Sequence, residues 1–130
     1  MMRVKLRGRA DLPPMKPMLA ERLVLFGGNV CALVRRSARD PGLENIVRQL
    51  ARSATSPAAN YAEAREAVST RDYINRMKIC VKELRESLAW LRMAHQAEFR
   101  RSELEPLIKE CNELIAIAVT CIKRASSTSI

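Results

Sequence analysis

Apolar residues recur every third or fourth position in four successive stretches of this chain. That spacing limits the fold more than any other feature. It keeps apolar side chains on one side of an α-helix, whereas a half-buried strand needs alternation. The first stretch carries Leu19, Leu23, Phe26, Val30 and Leu33, and the second Leu43, Val47, Leu50, Ala54, Ala58 and Tyr61. The third carries Tyr73, Met77, Cys80, Leu84, Leu88 and Leu91, and the fourth Leu104, Ile108, Cys111, Ile115, Ala118 and Ile122. An amphipathic helix must bury its stripe against another element. The pattern therefore predicts an all-α chain, an antiparallel up-down-up-down four-helix bundle over residues 17–125, joined by short loops.

The punctuation between stretches agrees. Helix one is expected over residues 17–38, with Gly27 and Gly28 weakening it or allowing a close backbone approach. "RDPG" at residues 39–42 stops that helix and turns the chain. The segment "QLARSATSPAANYAEA", residues 49–64, reads as linker or as close-packed helix. It holds the apolar spacing of helix two, which a linker would not, so helix is expected, with a kink at Pro57. Ser69 with Asp72 should cap helix three, and Ser102 with Glu105 in "SELE" helix four. A polar tail over residues 126–130 is expected to fray.

The 130 residues carry a net charge of +9, unevenly spread. Residues 1–39 hold nine Lys/Arg against Asp11 and Glu21. Residues 1–16 read as a flexible basic arm with Arg3, Lys5, Arg7 and Arg9. Such an excess suits an anionic partner, nucleic acid ahead of lipid; the plainer reading is a solvated tail. Cys31, Cys80, Cys111 and Cys121 form no CxxC pair and sit in helical patterns. Free buried thiols in a reducing cytosol are the expectation. No apolar run reaches the ~20 residues of a membrane span, and the basic start lacks the apolar core of a signal peptide.

Three segments resemble the four helix bundle protein family, also called the 23S rRNA intervening sequence proteins. They are "QLARSATSPAANYAEA", "RDYINRMKICVKELRESLAWLRM" and "LIKECNELIAI", in the family's order and over residues 43–124. The family's Ser-x-Pro-Ala-Asn-x-x-Glu motif is one residue longer here, between Pro57 and Asn60. Tyr61 replaces a small or β-branched residue, and Ala89 replaces an aromatic before Trp90-Leu91. The resemblance implies a bundle assembling as a ring-like homopentamer, without enzymatic activity or cofactor. A ring of five would raise the charge to about +45. A distant relative, the accessory variability protein of diversity-generating retroelements, is a basic pentamer that works with a reverse transcriptase and RNA. The glycine-tryptophan ending of that branch is absent from this chain.

At the motif positions Asn60, Glu63 and Glu86, the amide and carboxylate of helix two can meet Arg or Lys of helix three or of a neighbouring subunit; a buried polar network that fixes helix register is the favoured expectation. No Glu-x-x-His, GxSxG or GxxxxGK[ST] occurs, which argues against a di-metal site, a serine nucleophile and a nucleotide cradle. The basic residues carry the sharper expectation. Arg35, Arg36 and Arg39 end helix one, Arg48 and Arg52 lie on helix two, and Arg71, Lys78, Lys82 and Arg85 lie on helix three. With the arm, they form a candidate surface for RNA or DNA phosphates. The alternative is pairing with Glu83, Glu86, Glu110 or Glu113 across the bundle. Tyr61 and Trp90 are candidate subunit contacts. The functional expectation is a non-enzymatic, cytoplasmic, self-associating phosphate-backbone binder. Its rival is a protein adaptor, for example an accessory subunit of a reverse transcriptase.

Overall fold

Every apolar stretch forms one helix. The computed structural model describes residues 18–37 and 39–128. It contains α1 (Leu19–Arg36), α2 (Glu44–Arg65), α3 (Thr70–Gln96) and α4 (Arg101–Thr128). There is no strand among the described residues. Residues 1–16, expected to form an arm, lie outside them.

Local chemistry sets the ends. Ser37 closes α1 by donating its N–H to the Val34 carbonyl and its hydroxyl to the Leu33 carbonyl. In the next turn, the Asp40 carboxylate accepts the Gly42 N–H at 2.9 Å. The Ser69 hydroxyl accepts the Asp72 N–H at 3.0 Å, the N-cap of α3 that the sequence suggests. At the other end of α3, the Phe99 N–H reaches the Ala94 carbonyl and the Glu98 N–H the His95 carbonyl. This is a Schellman turn, with Glu98 at φ 64° where glycine is the usual choice.

That turn corrects the expected start of the last helix. Arg100, at φ 43°, is the last residue before α4, and its carbonyl accepts the N–H groups of Glu103 and Leu104. Ser102 is therefore inside the first turn and not its cap. The far end also differs. α4 continues to Thr128, beyond the boundary expected at residue 125, with the Ser127 hydroxyl bonded back to the Arg124 carbonyl.

Residues 49–64 lie wholly within α2, which runs unbroken past a buried Pro57. Their small side chains serve close packing. A Cβ on Gly27 would stand 3.0 Å from the Ala54 carbonyl oxygen, so α1 and α2 approach almost backbone to backbone there. Each helix packs on two others: α1 on α2 and α4, and α3 on α2 and α4. α1 and α3 thus occupy opposite corners of a four-helix bundle. The main core joins Leu23, Phe26 and Leu33 to Leu50, Leu84, Leu91, Leu104 and Leu114. A smaller cluster of Ala64, Met77, Cys80 and Ala118 fills the other end. No helix among the described residues is long and apolar enough to cross a membrane.

Candidate nucleic-acid interface

The outward face of α3 carries a row of cations. Arg71, Lys78, Lys82 and Arg85 follow one another at seven, four and three residues, and Arg92 extends the row by seven more. At 3.6 residues per turn they share a sector about 80° wide and run about 31 Å along the helix. All five are exposed, and none has an ion-pair partner among the described residues.

They are unpaired because the nearby carboxylates face elsewhere. Glu83 and Glu86 point toward α2, where the Arg52 guanidinium reaches both, Glu83 at 3.4 Å. Glu86 also accepts the Trp90 indole N–H at 3.0 Å, and Gln49 accepts Arg52 Nε at 3.0 Å. Beneath them, the Ser53 and Ser87 hydroxyls meet at 2.8 Å, with both residues 0% exposed. α3 therefore turns Glu83 and Glu86 into the seam with α2, while the five cations of the row face solvent.

The other basic candidates are placed differently. Arg52 is engaged in this seam. Arg36 Nη2 contacts Glu103 at 2.7 Å, and Arg100 contacts the same carboxylate at 2.7 Å. Donation from Arg100 and then Arg36 holds the Glu103 carboxyl below the usual carboxylate range. Arg48 donates to Asn45 at 3.2 Å. Arg35 and Arg39 are exposed but stand at α1 and just beyond it, away from the α3 row. Arg3, Lys5, Arg7 and Arg9 lie outside the described residues.

The polar motif does not converge. Asn60 donates locally, to the Ser56 carbonyl at 3.1 Å and hydroxyl at 2.9 Å. Glu63 pairs with Arg76 at 2.6 Å across the α2–α3 seam, with both side chains largely exposed. Glu86 takes Arg52 and Trp90. The single buried network expected of Asn60, Glu63 and Glu86 is thus replaced by three separate contacts, because Asn60 bonds back within α2 while Glu63 and Glu86 pair across the seam near opposite ends of α2. Tyr61 is half-buried beneath Arg65, whose guanidinium lies 5.8 Å from the ring centre, and Trp90 is also half-buried.

Two sets of contacts involve a residue the sequence did not single out, although Glu110 and Glu113 are expected there to pair across the bundle. Arg22 forks onto Glu110 at 2.9 and 2.6 Å and reaches Glu113 at 2.8 Å, linking α1 to α4. Hydrogen bonding to Glu110 raises its already high pKa. The Ser53–Ser87 pair is the other. Neither partner choice is readable from a chain separation of 88 or 34 residues.

No group of three or more metal-ligating side chains gathers among the described residues. All four cysteines are free. Burial pushes the Cys80 thiol up to about 11 and the Cys111 thiol up to about 12. The His95 Nε2 lies 2.9 Å from Glu105.

A crystal structure from Bacteroides thetaiotaomicron, of a protein of unknown function from the S23 ribosomal protein family, superimposes with a TM-score of 0.76 at 26% identity. The match covers 82% of this chain and 99% of that one. No curated protein matches the chain. The family model described as "23S rRNA-intervening sequence protein" matches residues 28–120. The match spans the second half of α1, all of α2 and α3 and most of α4, and it shows that the chain belongs to the 23S rRNA-intervening sequence protein family.

Proposed function

We propose that this protein is a non-enzymatic, self-associating helical bundle that binds the phosphate backbone of RNA or DNA along α3. One observation carries the reading: five exposed cations in a single row, with the neighbouring carboxylates withdrawn into the seam. Lys and Arg in such a row act on phosphate charge and carry no base-specific information. No aromatic side chain stands within the row to stack on bases, which favours backbone contact over single-strand sequence reading.

The helix order is antiparallel, up-down-up-down. Arg22, near the start of α1, meets Glu110 and Glu113, while Arg36 at its end meets Glu103 near the start of α4. Arg52 and Glu63 of α2 meet Glu83 and Arg76 of α3 in reversed order. Self-association as a homopentameric ring, with Tyr61 and Trp90 at subunit contacts, would repeat the α3 row around the assembly and strengthen its field.

The test is a salt series of binding to mixed-sequence RNA, read by fluorescence anisotropy. If α3 neutralises five phosphates of a single strand, log K falls against log salt with a slope of about −3.5. Lys82→Glu with Arg85→Glu should weaken binding at least ten-fold while leaving helix content unchanged. Absence of binding at low salt, or a flat salt dependence, overturns the reading and favours a protein adaptor.

A further inference from the structure

Two adjacent glycines in α1 have opposite surroundings. Gly27 is buried against the Ala54 carbonyl, whereas a Cβ on Gly28 would meet no atom of the described residues within 4 Å. An exposed glycine inside a helix weakens it relative to alanine. The bundle itself gives no reason for one at position 28. The same face of α1 leaves Val24 57% and Leu25 47% exposed.

The face is also self-complementary. Glu21 and Arg35 stand seven residues before and after Gly28, Val24 and Ala32 four, and Leu25 and Cys31 three. Glu21 and Arg35 are exposed, with no ion-pair partner among the described residues. Laid antiparallel across a second copy, with Gly28 at the crossing, α1 sets Glu21 against Arg35 of that copy at both ends. Val24 then meets Cys31 of the second copy, and Leu25 meets Ala32. A parallel arrangement would oppose like charges at both ends.

We infer that the outer face of α1 is a two-fold docking surface for a second copy of this chain, centred on Gly28. The missing side chain lets the two backbones approach closely, and the charged ends select the antiparallel direction. The contact is isologous and closes on itself, so it neither builds nor requires a ring. One helix pair buries less than the ~1,200 Å² of a standard interface, so association falls in the micromolar range or weaker. The α3 rows, at the opposite corners of the two bundles, remain open.

Sedimentation velocity over a concentration series tests the inference. The wild-type mass should rise with concentration: a single chain doubles, and a ring, which carries five copies of the face, gains at least one further ring. Gly28→Gln, a good helix former that fills the crossing, should abolish the rise while helix content is retained. Glu21→Arg and Arg35→Glu should each abolish it as well. Mixing those two variants should recover it as a one-to-one complex, since their charges become complementary at both ends. A wild-type mass independent of concentration, a rise that survives Gly28→Gln, or mixed charge variants that stay apart would each overturn the proposal. RNA binding by Gly28→Gln should match that of the unpaired wild type.

Discussion

The hydroxyls of Ser53 and Ser87 lie 2.8 Å apart in the α2–α3 seam, both fully buried, directly beneath the ion pairs that Arg52 makes with Glu83 and Glu86. Each hydroxyl has one proton: Ser87 donates to the Glu83 carbonyl at 2.9 Å and accepts from Ser53, which leaves the Leu50 carbonyl at 3.4 Å without that proton. This small polar contact holds α2 and α3 in the register that turns Glu83 and Glu86 inward. Ser53→Ala or Ser87→Ala should each cost about 1 kcal/mol in urea unfolding. The double variant should cost less than the two together, since one bond is shared. Strict additivity would show that the hydroxyls do not act as a pair.

Arg52 supports the α3 row without belonging to it. Arg52→Ala frees Glu86, which stands four residues from Lys82 on the same helix and can then pair with it. RNA affinity should drop several-fold, and Arg52→Ala combined with Glu86→Gln should recover it. An unchanged affinity in Arg52→Ala would show that the row is independent of the seam.

The two glycines of α1 should respond in opposite directions. Gly28→Ala gains about 1 kcal/mol of helix propensity with nothing among the described residues to clash. Gly27→Ala gains the same propensity, but its Cβ presses on the Ala54 carbonyl, and overpacking costs about 1–3 kcal/mol. Thermal unfolding should rank the first above the wild type and the second below it.

Glu98 occupies the left-handed position of the Schellman turn. Glu98→Gly should stabilise the protein by about 1 kcal/mol, because glycine adopts this backbone without steric conflict. Equal melting temperatures would mean that the Glu98 side chain compensates for the strain.

Thiol chemistry should follow burial. In the folded state Cys31 should react first with a disulfide reagent, and Cys80 and Cys111 only on unfolding. Burial raises both thiols, so the unfolded chain ionises first as pH rises. Stability is then complete below the ordinary thiol pKa of ~8.5 and declines above it, up to about 11 for Cys80 and about 12 for Cys111. Cys80→Ala with Cys111→Ala should flatten that alkaline decline in a pH series of urea midpoints. Glu103 acts with the opposite sign. Its depressed pKa adds stability above the ordinary carboxylate value of ~4.3, which is lost as pH falls through the folded value. Glu103→Gln should reduce the loss in acid.

Sequence alone determined the four helices, the cap at Ser69 and the excess of cations, since each depends on neighbours within a turn or two of the chain. The helical reading of residues 49–64 belongs with these. Tertiary structure decided which charges remain open. In sequence Arg52 and Lys82 are equivalent cations beside nearby acids; in the fold one bridges two carboxylates and the other faces solvent. Gly27 and Gly28 are likewise indistinguishable in sequence until α2 packs against one of them. The start of α4 was misread for the same reason, because a tight turn after α3 moved the boundary to Arg100. A helical period is written locally, whereas the partner of a side chain depends on which distant residue the packing brings opposite it.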